Sequence, residues 1–349
     1  SNNVAVGYQA ALNLNGGTDS VYMGYLAGGV GVITGDFNTC VGRGAALEAT
    51  SAEYSTFLGY NAGGRTTAAG RAAPLTGASN TCVGSAAGWA LTSGHSNVLI
   101  GRDAGINLTD NLSNVAIGIN ALDAANTAEH YNTAVGSHTL SAETSGADGC
   151  TAIGYAALAF QNRDASANTA MGYNALTNLG NSVTYGGIQN TAVGYEAGGT
   201  GVFGGTDGQG NNNTLLGFQA GKAITTGSAN TCLGVKAGTA LLGGASNVII
   251  GRQSGAALNT GASNVLIGDS AGKLLTNNTD NIAIGHGALD AMNGGADPGA
   301  TGIGNIAIGT NALGAENSTA EADYCIAIGH SALALQTGGT NAKNTAIGG

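Results

Sequence analysis

The chain has 349 residues, 63 of them Gly, with 9% charged residues and a formal net charge of −10. That much glycine is incompatible with a helical protein, and an acidic chain with ten Lys and Arg lacks the clustered cations that nucleic-acid binding needs. No run of about eighteen apolar residues offers a membrane-spanning helix, and no signal peptide is recognisable.

The first element, Asn3-Val4-Ala5-Val6-Gly7, returns in variant form along the whole chain, most plainly as Asn-Thr-Ala-Val-Gly at 190–194. The repeat glycine falls at 7, 24, 42, 59, 84, 101, 118, 136, 154, 172, 194, 217, 234, 251, 268, 285, 309, 329 and 348, and twelve of the eighteen intervals are 17 or 18 residues. A repeat this short cannot bury its own apolar face, so copies must stack. The expected fold is all-β, a parallel β-solenoid with one coil per repeat, in a single domain over 1–349. At the ~4.8 Å strand spacing, nineteen coils make a rod of about 90 Å.

Within each repeat the positions have separate demands. Four residues before the glycine stands Asn in fifteen of nineteen copies, among them Asn114, Asn190 and Asn281. Stacked amides of this kind can bond one another and the turn backbone. A β-branched residue follows, then a residue that is never charged, then an aliphatic such as Ile117, Val193 or Ile284. The two outer members of this triplet share a strand face, and β-branching suits a pleated, half-buried surface, so they are expected to line the interior. The middle residue (Ala5, Tyr22, Cys40, Phe57, Ala116) then points outward. It leaves an apolar stripe that needs covering, which argues for lateral assembly into a homotrimer. The glycine, as at Gly118, Gly194 and Gly285, marks a corner. Three residues after it comes Ala in sixteen of eighteen copies, and then always Gly, Ala or Leu, which reads as a second short inward segment.

The residue just after the glycine should point out of the corner. It is Tyr8, Tyr25, Tyr60, Tyr155, Tyr173, Tyr195 or Phe218 in seven copies, and Arg43, Arg102 or Arg252 in three. Rings laddered on a polar surface can stack on sugars or simply cover the groove between coils. Further along the same slot, Arg252, Asp269 and His286 fall on successive coils, and a surface charge ladder is the favoured reading. Insertions lengthen the repeats that follow Gly59, Gly172, Gly194 and Gly285. They carry Arg65, Arg71, Pro74, Tyr185, Phe203 and Pro298, so receptor or glycan contact is expected at Tyr185 and Phe203, with Tyr155, Tyr173 and Tyr195 as further candidates.

No catalytic, cofactor or metal motif emerges. The carboxylates expected outside the corners, Asp103, Glu196 and Asp269, are widely separated, and no nucleophile joins them. The Gly-rich stretch around Asp207 lacks the Gly-Lys-Ser/Thr of a phosphate loop. The five cysteines occupy repeat positions, so they read as buried free thiols. Ice binding is disfavoured on the ground that the repeated Thr points inward. The expected role is a non-enzymatic fibre or adhesin shaft, extracellular or on a virion surface, without cofactor, nucleic acid or membrane insertion. Its partners are other copies of itself and possible cell-surface glycans.

The units Asn-Val-Ala-Ile-Gly at 114–118, Asn-Ile-Ala-Ile-Gly at 281–285 and Asn-Thr-Ala-Ile-Gly at 344–348 resemble the head repeat of trimeric autotransporter adhesins. The resemblance implies a left-handed β-roll of three chains around one axis. The repeat here is longer and is followed by Ala-Gly or Ala-Leu rather than Ser. That longer form is similar to repeat regions of tail-fibre-like proteins from phages and environmental bacteria. A phage tail fibre is the reading preferred over a bacterial adhesin or a self-assembling extracellular filament.

Overall fold

In a computed structural model, the structure describes residues 2–64, 74–124, 129–142, 148–161, 166–179, 187–199, 209–290, 302–316, 323–336 and 343–349. The chain forms two compact units, Ser1–Ala167 and Asn168–Gly349. Each is a parallel β-solenoid, and no helix occurs among the described residues.

In the first unit nine three-residue strands precede the repeat glycines, from Val4–Val6 and Val21–Met23 through Val115–Ile117 to Thr151–Ile153. Ten do so in the second, from Thr169–Met171 to Thr345–Ile347. Each pairs in parallel with the strand of the neighbouring repeat, and like positions face like: Leu99 lies beside Ala116, and Leu266 beside Ala283. The corner glycines hold φ between 122° and 142°, where only glycine is comfortable. A Cβ on Gly24 would stand 2.5 Å from the carbonyl oxygen of Gly42, because corner backbone packs directly on corner backbone.

The facing of the strands is the reverse of the sequence expectation. Tyr22, Cys40, Phe57, Cys82, Leu99 and Ala116, all middle residues, are 1% exposed or less. Their outer neighbours face solvent. Ile117 and Ile284 are 36% and 37% exposed, and Val193 is half-buried, while Ala116, Ala192 and Ala283 beside them are fully enclosed. The cause is the narrowness of the coil. Opposite each strand runs the segment three and four residues past the glycine, with Ala27, Ala45, Ala104 and Ala121 wholly buried. The space between admits one side chain per strand, so two of three must point out.

That confined interior is filled by a rule within each coil. Where the middle residue is Ala116, Ala134, Ala152, Ala170, Ala283 or Ala307, the residue six positions later is a buried leucine, from Leu122 to Leu313. Where it is larger, as Tyr22, Phe57, Leu99, Leu215 or Leu266, that residue is Gly. A Cβ on Gly28 would lie 2.6 Å from the Tyr22 ring, and one on Gly221 2.6 Å from Leu215. In the coils of Leu99, Leu215 and Leu266 a leucine or isoleucine three positions further on folds back over the glycine. Leu108 approaches Gly105, and Leu275 approaches Gly272, within 2.8 Å of such a Cβ. Ala5 with Ala11, Cys40 with Ala46 and Ala192 with Gly198 depart from the rule, and nothing in the described residues accounts for them.

The asparagine column bears out its expectation fully. Asn80, Asn97, Asn114 and Asn132 in the first unit are buried, as are Asn190, Asn213, Asn230, Asn247, Asn264 and Asn281 in the second. Asn97 Nδ2 donates to Asn80 Oδ1 at 3.1 Å and to the Asn111 carbonyl at 2.9 Å. Its own Oδ1 accepts the backbone N–H of Asn114 at 3.0 Å. Where Ser55 replaces Asn, its Oγ accepts the Asn80 N–H at 3.0 Å, so the acceptor is kept though the amide is lost.

All five cysteines are buried as thiols. Desolvation pushes the thiols of Cys40 and Cys232 up to about 12, and that of Cys82 higher still. A thiol reagent at pH 8 should therefore leave all five unlabelled in the folded chain and label all five in denaturant. Rapid labelling under native conditions would contradict this burial.

Candidate interaction surfaces

Two outward surfaces arise from the coil geometry. The first is the strand face. It carries the two outer residues of every triplet and no charged side chain. Met23, Leu58, Met171, Leu216 and Leu233 are each at least 40% exposed. Its Thr residues, among them Thr39, Thr191 and Thr214, point to solvent, so the argument against ice binding from inward threonines does not hold. The face is still a poor template for an ordered water lattice: its second column mixes Val, Met, Leu and Ile, and so varies in height. From Val248 to Ile328 hydroxyls disappear. The five strands Val248–Ile250, Val265–Ile267, Ile282–Ile284, Ile306–Ile308 and Ile326–Ile328 present ten outward Val and Ile side chains in register.

The second surface is the column just past the corners. Tyr8 stacks on Tyr25 with centroids 5.4 Å apart, and Tyr173, Tyr195 and Phe218 form a stack with spacings of 5.1 and 5.3 Å. Tyr195 therefore has both ring faces covered by neighbours. It offers an edge and a hydroxyl to solvent, not a face for a sugar. Tyr155, in the first unit, makes an edge contact with His138 at 5.9 Å. Tyr185, Phe203, Arg65, Arg71, Asp207 and Pro298 lie outside the described residues.

The carboxylates of this region are ion-paired. Glu196 accepts from Lys222 at 2.7 Å and from Gln219 at 2.8 Å, and those bonds hold its carboxyl below the usual range. Asp269 accepts from Arg252 Nη2 at 2.7 Å and Nε at 3.2 Å, with the same consequence. Asp103 lies 3.7 Å from the Arg102 guanidinium. In contrast, Arg43 has no carboxylate partner among the described residues. Its guanidinium carbon sits 5.5 Å from the Tyr25 ring centre and 5.4 Å from that of Tyr60.

The residue after this column, where Asp103 and Glu196 stand, is conformationally unusual. Leu26, Asn61, Asp103, Glu196 and Gln219 all have φ between 51° and 59°. The left-handed region costs a non-glycine residue about 1 kcal/mol or more. Here each backbone N–H is directed at a carbonyl of the preceding coil, as Leu26 to Tyr8 at 3.0 Å and Asn61 to Arg43 at 2.9 Å. The ladder offsets the strain, and no local sequence signal announces it.

Among the described residues no cluster of three His, Cys, Asp or Glu side chains could hold a metal ion, and no helix is long and apolar enough to cross a membrane. The fold and its surfaces define a parallel β-solenoid repeat protein. No protein-family model matches the chain, and a search of curated proteins returns no match.

Proposed function

We propose that this chain is a non-enzymatic structural segment of an extracellular or virion fibre, assembled as a parallel homotrimer through the strand face. The observation that carries the reading is the uncharged, solvent-facing double column, Thr, Val or Ile in the first row and aliphatic in the second. It is most concentrated over the ten Val and Ile residues between Val248 and Ile328. An apolar face of this extent is rare on a monomer and marks an association surface. A second copy is the occupant that fits, since each copy presents the same apolar columns and no charge that would oppose the match. Among fibres, the tail-fibre role rests on the likeness of the Asn-x-Ala-Val/Ile-Gly unit to tail-fibre repeats.

Light scattering on the purified chain should give three times the 33.7 kDa chain mass. The double variant Ile284→Lys, Ile308→Lys should yield a monomer with an unchanged far-ultraviolet circular dichroism spectrum, since both side chains point away from the core. A wild-type monomer at micromolar concentration would remove the assembly reading, and large laterally associated polymers would replace the trimer with a filament.

A further inference from the structure

We infer that the Tyr25–Arg43–Tyr60 clamp is a binding site for a carboxylate carried on a sugar, such as a uronic acid. The three residues occupy the slot after the corner on successive coils. Arg43 is held between the two rings by cation–π contact and by donation from Nη1 to the Tyr60 hydroxyl at 3.4 Å. Arg102 and Arg252 occupy the same slot, but each has an aspartate beside it. Among the described residues Arg43 is thus a cation held by two rings with no carboxylate beside it, on a chain of net charge −10.

Beside it lies a groove of about 100 Å³ that includes Leu26, Leu47 and Asn61 in its lining. Gly44 also lines it, and the Asn61 side-chain oxygen lies over that glycine. The volume admits a carboxylate and one edge of a sugar ring. A planar guanidinium matches a carboxylate through two parallel N–H donations, and ring contact pre-organises it for that geometry. Leu26 supplies a small apolar contact for one C–H edge of the sugar ring, and Asn61 and the two tyrosine hydroxyls supply hydrogen-bonding groups for its hydroxyls. This site lies on a different surface from the strand face, so its existence is independent of how the chain assembles.

The test is a calorimetric titration of the whole chain with trigalacturonic acid, a neutral galactose trisaccharide, sodium sulfate and N-acetyl-glycylglycine. The acidic trisaccharide should bind, and Arg43→Gln should weaken it at least tenfold. Arg43→Lys should weaken it too, because it keeps the charge but loses the fork, whereas Arg252→Gln should change nothing. Equal binding of the neutral trisaccharide, or full affinity in Arg43→Gln, would overturn the site. Equal binding of sulfate or of the peptide carboxylate would overturn its assignment to an acidic sugar.

Discussion

Ala116→Asp should unfold the coils around it rather than merely disturb assembly. Ala116 is fully enclosed, with Leu99 and Ala134 on the neighbouring strands and Leu122 filling the space opposite. A carboxylate there has no partner, and an uncompensated buried charge costs several kcal/mol even after relaxation. The expected result is loss of the cooperative thermal transition of the first unit, or insoluble protein. Ile117→Lys, one residue away but outward, should leave that transition nearly in place. The same site allows a subtler check. Ala116→Leu alone should cost about 1–3 kcal/mol through overpacking. Adding Leu122→Gly recreates the native pairing of Leu99 with Gly105 and should recover most of that loss.

The second large effect is expected in the amide column. Asn97→Ala removes the acceptor for the Asn114 N–H and the donor to the Asn111 carbonyl, both buried. Each orphaned group costs about 1–3 kcal/mol, so the variant should lose several kcal/mol in a denaturant titration. Asn97→Ser should be distinctly milder, since Ser20 and Ser55 already serve the chain at this position by accepting the next N–H. Equal losses for Ala and Ser would show that the acceptor is not what stabilises the column.

The positions that matter were legible in the sequence, because the stacking of identical coils demands the same residue type at the same place each time. The glycine corners, the amide column and the buried Ala after each corner could all be read directly. The direction of the strands could not. A triplet such as Val115-Ala116-Ile117 is apolar on both faces, and period-two alternation does not say which face is enclosed. Preference for β-branched residues inside gave the wrong answer, because the coil is too narrow for two of them. The signal that decides it lies six residues away: Ala116 goes with Leu122, and Leu99 with Gly105. Such complementary volumes make sense only if the middle residue shares an interior with that position. The corner column was read correctly as outward. Its covered ring faces were not foreseeable, because they depend on successive tyrosines meeting at stacking distance.

Because most coils carry at the sixth position on the complement of their own middle residue, and present the same register above and below, one coil can replace another of its kind with little change to the interface. A genetic exchange between misaligned repeats would insert or excise a whole coil and leave matched surfaces at the junction. Length is then a trait that selection can adjust in increments of one strand spacing, while every increment remains foldable. A Gly101→Ala change, by contrast, drives a methyl group into the Gly118 carbonyl and has no such neutral route. The architecture is permissive in the number of its parts and strict in their shape.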